Sequence, residues 1–309
     1  KVGEYTVIAT VSYKVTSFED KDVSAGTRYR YIIRSIDGSL KSANSDYCEN
    51  VFMKAPSISK VSNADGGVKI SWGSVKGANK YRVYRKAPGE TSWSKLADTT
   101  KTSFEDTSVA EGKVYTYTVR AYKDSYGSSY NKTGLSRRYV KTYALYTPTN
   151  EKDGILLRFD PSKKADKYYI YREVKGTDTK KQIAVLDPAD LEKDQYGVFM
   201  YVDKTAKEGE TYAYYLRASY KGTFGDMNWS TQRYIFRLAP VDVVSVKETS
   251  DGVKISWEKS QYAECYAVYR KVEGVDEYFK SFRFIDDGKT STIDSSVESG
   301  KKYTYAVAA

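Results

Sequence analysis

The chain has 309 residues, among them 31 Tyr, two Cys and no His, and a formal charge of +10. Without His there is no Ser-His-Asp triad and no His-ligated metal, and neither thiol sits in a Cys-x-x-Cys pair. The basic pairs Arg137-Arg138, Lys163-Lys164, Lys180-Lys181 and Lys301-Lys302 are scattered among 40 acidic residues. That spread fits solvated strand faces and loop tips, and no specific nucleic-acid partner is expected; attraction to an anionic surface such as cell-wall polymer, acidic glycan or DNA is the alternative.

In chain order, the first distinctive segment is TSFEDKDVSAGTRYRYIIRS at 16–35: an acidic turn, a Gly, then Tyr-x-Tyr leading an alternating apolar run. It returns at 102–121, 199–218 and 291–309. Asp20, Asp106, Asp203 and Asp294 are equivalent, at spacings of 86, 97 and 91 residues. This period is close to the ~100 residues of a small β-sandwich and too long for a helical solenoid repeat. A second block, GGVKISWGSVKGANKYRVYRK at 66–86, recurs at 153–173 and 251–271. Four copies of the first block against three of the second imply a window on a longer array. Residues 1–54 are expected to be the C-terminal part of a module and 55–146 a complete one. Residues 147–238 would be a complete module with an insertion around KKQIAVLDPADLEKDQYG, and 239–309 a module lacking its last strand. No run of about 18 apolar residues offers a membrane span.

Within a module, Asp65-Gly66, Asp153-Gly154 and Asp251-Gly252 are hairpin signals, because both positions tolerate positive φ. The strand that follows alternates, with Val68, Ile70 and Trp72 inward and Lys69 and Ser71 outward. Ile155, Leu157 and Phe159, and then Val253, Ile255 and Trp257, repeat the inward set, which makes Trp72, Phe159 and Trp257 core residues. In the next strand Tyr81/Val83, Tyr168/Ile170 and Tyr266/Val268 face the core, while Tyr84, Tyr171 and Tyr269 face outward. The Tyr-x-Tyr strand places Tyr115, Tyr117, Val119 and Ala121 inward and Thr116, Thr118 and Arg120 outward. The first Tyr of each pair, Tyr29, Tyr115, Tyr212 and Tyr303, is placed to reach back to the turn backbone as a tyrosine corner. Cys48 and Cys265 fall in different modules and form no intramodule disulfide.

An early-strand Trp, then Tyr-x-Val-Tyr-Arg, then Asp-x-x-Val-x-x-Gly-x-x-Tyr-x-Tyr-x-Val-x-Ala resembles the fibronectin type III family, in the variant found in tandem on bacterial secreted and surface proteins. The resemblance covers essentially the whole chain, with Phe159 in place of Trp as its main departure. It implies an all-β fold of tandem immunoglobulin-like sandwiches in an extended array, located outside the cell or on its surface. Proline-containing junctions at 54–57, 146–149 and 238–241 point to semi-rigid connections.

No catalytic, cofactor-binding or metal-binding residue is expected. The carboxylate pairs Glu19-Asp20, Glu105-Asp106 and Asp286-Asp287 sit at turns and read as turn chemistry rather than glycoside hydrolysis. Ligand contact, if the segment makes any, falls on the loops KDSYGSSYNKTG (123–134) and KGTFGDMNWS (221–230). Their aromatic residues Tyr126, Tyr130, Phe224 and Trp229 suit stacking on a sugar or an adhesive contact. The alternative is that they pack on their own module edge or on the neighbouring module. The outward Tyr/Arg strand is likewise either a glycan platform or a covered sheet face. The leading expectation is a non-catalytic spacer with adhesion to glycan or a surface protein. The others are an accessory region of a secreted carbohydrate-active enzyme and a carbohydrate-binding array.

Overall fold

The computed structural model describes residues 4–230 and 234–309. The chain divides into two compact units, Lys1–Tyr139 and Val140–Ala309. Among the described residues every regular element is a strand, and no helix is long and apolar enough to cross a membrane.

In the first unit, β1 (Arg28–Tyr31), the hairpin β2 (Ile36–Asp37) and β3 (Leu40–Lys41), and β4 (Cys48–Val51) come first. β1 pairs antiparallel with β4. Eight strands follow: β5 (Ile58–Asn63), β6 (Val68–Trp72), β7 (Lys80–Lys86), β8 (Ser94–Thr99), β9 (Ser103–Asp106), β10 (Val114–Lys123), β11 (Tyr126–Gly127) and β12 (Leu135–Arg138). One sheet runs β5-β6-β9; the other runs β11-β10-β7-β8, with β12 also on β10. Val68, Ile70 and Trp72 of the first sheet share one buried cluster with Tyr81, Val83, Tyr117 and Val119 of the second. Apolar positions at every second residue bury one face of each sheet, and the two faces close on each other.

The second unit repeats this plan. Its strands are β13 (Thr149–Glu151), β14 (Gly154–Phe159), β15 (Lys167–Val174), β16 (Lys181–Leu186), β17 (Phe199–Asp203), β18 (Thr211–Tyr220), β19 (Thr223–Trp229) and β20 (Ile235–Phe236). They form sheets β13-β14-β17 and β16-β15-β18-β19, with β20 on β18. Then come β21 (Val243–Thr249), β22 (Gly252–Trp257), β23 (Tyr266–Val272), β24 (Lys280–Ile285), β25 (Ser291–Asp294) and β26 (Tyr303–Ala308). These pair as β21-β22-β25 and β24-β23-β26. Register repeats too: Val83↔Val119, Ile170↔Leu216 and Val268↔Val307 lie opposite one another. A register shift recurs opposite Val83/Tyr84, Ile170/Tyr171 and Val268/Tyr269, where the partner strand carries one extra residue, Leu96, Ile183 or Phe282. A three-stranded sheet facing a second sheet of five strands in the first two sandwiches and three in the last, in this order, is the fibronectin type III-like sandwich.

Three features differ from expectation. The stretch 221–230 is not a loop: only Lys221 and Gly222 form the turn, both at positive φ (47° and 72°), and Thr223–Trp229 is strand β19. The supposed insertion begins with a regular strand, β16, so the extra length is confined to the segment between Leu186 and Phe199. Thr118, read as outward, is fully buried because the 128–134 loop folds over it and the Asn131 carbonyl accepts its hydroxyl at 2.7 Å. Val140 and Leu145 are buried with Ile155 and Leu157.

Candidate functional site

The repeated Asp organises each module. Asp106 Oδ2 accepts from the Tyr117 hydroxyl at 2.9 Å and from Arg85 Nη1 at 2.7 Å. Its Oδ1 accepts from the Ser108 amide at 3.0 Å and hydroxyl at 2.7 Å. Asp203 repeats the set with Tyr214, Arg172 and Thr205, and Asp294 with Tyr305, Arg270 and Ser296. Asp20 accepts from the Tyr31 hydroxyl at 3.0 Å and from the Asp22 amide at 3.0 Å. Burial pushes the Asp106 carboxyl up, but the bonds from Ser108, Arg85 and Tyr117 outweigh it and hold the group below the usual range. Asp203 and Asp294 are lowered in the same way. A carboxylate so occupied stays ionised, which does not suit a general acid.

Two further tyrosines per module close turns. Tyr29, Tyr115, Tyr212 and Tyr303 accept from the amides of Ser24, Ala110, Lys207 and Glu298 at 2.8–3.0 Å. Tyr81, Tyr168 and Tyr266 accept from Val75, Ser162 and Ser260 at 2.7–2.9 Å. These repeated bonds account for much of the tyrosine excess. Trp72, Phe159 and Trp257 are buried against Tyr81, Tyr168 and Tyr266, with ring centroids 5.6, 4.9 and 5.5 Å apart.

The four loop aromatics meet different fates. Tyr126 donates to the Glu49 carboxylate and lies under the Arg28 guanidinium at 5.3 Å, so it joins 55–139 to the segment before it. Tyr130 stacks on Tyr84 with centroids 6.2 Å apart. Phe224 packs edge-on against Tyr169 at 5.0 Å, with Arg217 over its ring at 4.5 Å. Trp229 is different: it is 64% exposed.

Trp229 is not alone on its face. The ladder sets Tyr171 opposite Tyr215 and Tyr215 opposite Trp229, one aromatic from each of three neighbouring strands. Tyr215 donates to Glu173 at 2.7 Å, and Lys180 lies over its ring at 4.7 Å and 3.3 Å from Glu173. The positions equivalent to Tyr215 are Thr118 and Ala306, so this row belongs to one module. Sequence reading placed Tyr171 outward and Trp229 in a loop and did not connect them; the missing signal was the strand character of 223–229.

On the other sheet of the same module, an open groove of about 770 Å³ is lined by Leu156, Leu191, Met200 and Val202 with Asp187 and Asp190. Among the described residues no cluster of three or more His, Cys, Asp or Glu is placed to hold a metal. Cys48 and Cys265 are free and exposed.

Modules also touch within each unit. Gly26 and Gly77 approach so closely that a Cβ on Gly77 would lie 2.2 Å from the Gly26 Cα. Lys123 Nζ donates to the Gly26 carbonyl at 3.3 Å, and Arg28 pairs with Asp124 at 3.7 Å. In the second unit Tyr262, which aligns with Gly77, packs over Gly209 and meets Phe236 at 6.3 Å. Turn glycine against the equivalent loop position is thus a recurring joint.

Strand order, register and the Asp–Tyr–Arg network make the chain a tandem set of fibronectin type III-like sandwiches. No family model matches it. It is similar over 88 residues, at 36% identity, to part of an amylopullulanase of Thermoanaerobacterium thermosulfurigenes. Over 122 residues it is 30% identical to part of exoglucanase B of Cellulomonas fimi. The alignments cover 28% and 34% of this chain and 4% and 11% of those proteins. Similar solved structures include the FN1–FN3 domains of chicken CNTN1, at 13% identity and a TM-score of 0.26 over 82% of this chain and 91% of that one. A two-domain fibronectin type III segment of chicken tenascin gives 14% and 0.30, over 59% and 98%. At these TM-scores the fold assignment rests on the strand order and register above.

Proposed function

We propose that the chain is a non-catalytic spacing segment of a bacterial extracellular multidomain protein, built from modules at 1–54, 55–146, 147–238 and 239–309. The carrying observation is that the repeated polar residues are consumed by structure: each carboxylate of Asp106, Asp203 and Asp294 is filled by Tyr, Arg and Ser or Thr. Repeated joints between modules suit a segment that holds its neighbours at a set separation. Partial likeness to an amylopullulanase and an exoglucanase favours a polysaccharide-degrading host. In that setting the segment is an accessory region beside a catalytic domain.

The test uses donor and acceptor dyes on Cys48 and a Ser94→Cys thiol, in a Cys265→Ser background, across the Gly26–Gly77 joint. One narrow distance distribution is expected; a distribution as broad as that of a flexible tether would overturn the spacing role. Incubated with soluble α- and β-glucans, the segment should release no reducing ends, and turnover would overturn the non-catalytic reading.

A further inference from the structure

We propose that the outward face of the β16-β15-β18-β19 sheet is a binding platform for a neutral glucan chain, with Trp229 and Tyr171 as its stacking residues. The proposal rests on the polysaccharide-directed reading and specifies what this one module adds to it.

Tyr171, Tyr215 and Trp229 share one ladder row, so their side chains leave the sheet on one side. Neighbouring strands lie ~4.8 Å apart, which sets the outer two residues roughly 10 Å from each other. Tyr215 is buried with Lys180 over its ring, so the accessible aromatic faces are those of Tyr171 and Trp229, at a separation that matches a short run of sugar rings whose C–H faces pack on them. Beside it, the Tyr169–Arg217–Met227 row continues the surface, and Gln182 stands opposite Tyr171 on β16.

Tyr171 recurs as Tyr84 and Tyr269, but the fold does not explain Tyr215 and Trp229 beside it. Thr118 and Ala306 occupy the Tyr215 position in the sister modules, whose sandwiches are otherwise alike. Trp72 and Trp257, the tryptophans that build cores, are each 4% exposed, whereas Trp229 is 64% exposed on a strand whose backbone is already paired. A large exposed aromatic on a rigid strand presents contact area at little conformational cost.

The polar groups decide the class of ligand. Lys180 is paired with Glu173, and Glu173 also takes the Tyr215 hydroxyl, so the charges beside the row are balanced. Arg217 donates to the Gly225 carbonyl at 3.0 Å and covers Phe224. With Lys180 held by Glu173 and Arg217 turned onto a backbone carbonyl and a ring, the rim offers hydrogen bonds rather than concentrated charge, which suits an uncharged polyol better than an anionic polymer or a nucleic acid.

The experiment is calorimetric titration of the intact chain with cellohexaose and with maltoheptaose, followed also by acrylamide quenching of tryptophan. Binding in the millimolar range or tighter to at least one is expected, with Trp229 protected from quencher; which oligosaccharide binds identifies the linkage. Trp229→Ala and Tyr171→Ala should each weaken binding about tenfold or more, equivalent to about 1.4 kcal/mol. Trp229→Phe should retain most of it, and Tyr130→Ala should leave it unchanged. Melting curves are expected to be unaltered in Trp229→Ala, because its side chain is exposed. Binding of neither oligosaccharide by the intact chain would overturn the proposal, as would binding indifferent to both alanine variants. If the platform fails while the dye distribution stays narrow and no glucan is cleaved, the spacing role stands without it.

Discussion

At the scale of residues, the module is held by a buried ion carrying more partners than the pattern of the sequence suggests. Asp203 is fully buried and receives Tyr214, Arg172 and Thr205. Removing its charge leaves Arg172 without its partner, so Asp203→Asn is expected to destabilise its module by about 3–5 kcal/mol in denaturant unfolding. Tyr214→Phe, which removes one bond to a charged group, should cost about 1.5–3 kcal/mol. Burial raises Asp106, Asp203 and Asp294, and their hydrogen bonds lower them further than burial raises them. A carboxylate of lowered native pKa contributes stability fully above its unfolded value of about 3.9, and that contribution is lost as pH falls through the native value. Unfolding free energy should therefore be flat in this respect above about pH 5 and decline below pH 4, with the decline reduced in Asp203→Asn. The network was only half legible. Asp-x-Ser turns and Tyr-x-Tyr alternation are local patterns, but Arg85 and Tyr117 lie 21 and 11 residues from Asp106 and meet it only when the sheets pair.

At the scale of elements, period-two alternation was enough to find the central strands and their buried faces, because one face of each sheet is dry. The edge hairpin β18–β19 was missed for a physical reason. Gly225 and Asn228 look like loop residues, yet a Cβ on Gly225 would lie 2.4 Å from Thr142 Oγ1 and 2.8 Å from the Val140 carbonyl oxygen, and Asn228 donates to the Thr142 carbonyl at 2.5 Å. Glycine there marks close backbone approach, not a turn. The joints follow the same logic and were invisible in sequence. Gly77 has φ +87° and no space for a side chain against Gly26. Gly77→Ala is expected to open that joint, broadening the Cys48–Ser94→Cys dye distribution and raising hydrogen exchange around Gly26 and Asp124. Strands β6, β7 and β10 should keep their protection, because Gly77 lies outside the buried cluster they share. Unchanged dye distances would show that the joint does not depend on this approach.

At the scale of the whole molecule, the three buried clusters have no member in common. One gathers Ile155, Ile170 and Leu216, one Ile70, Val83 and Val119, and one Ile255, Tyr266 and Val268. Apolar stabilisation is short-ranged, so a cavity made in one cluster does not remove contacts from another. Ile170 is fully buried at the centre of β15, and Ile170→Ala should cost about 2–5 kcal/mol. Measured by hydrogen exchange, that loss is expected across β14, β15, β17 and β18 while β6, β7 and β10 keep their native protection. Denaturant unfolding of the variant should then show an early transition silent to Trp72, whose indole reports only the cluster around it. A single transition shifted as one body would mean that the sandwiches unfold together. Separate unfolding would suit the proposed spacing role, since local damage then changes one link and leaves the others folded. It also lets one module carry an aromatic row that its neighbours lack: Tyr215 can vary to Thr118 or Ala306 without any change to the Asp–Tyr–Arg network on the other side of the strand.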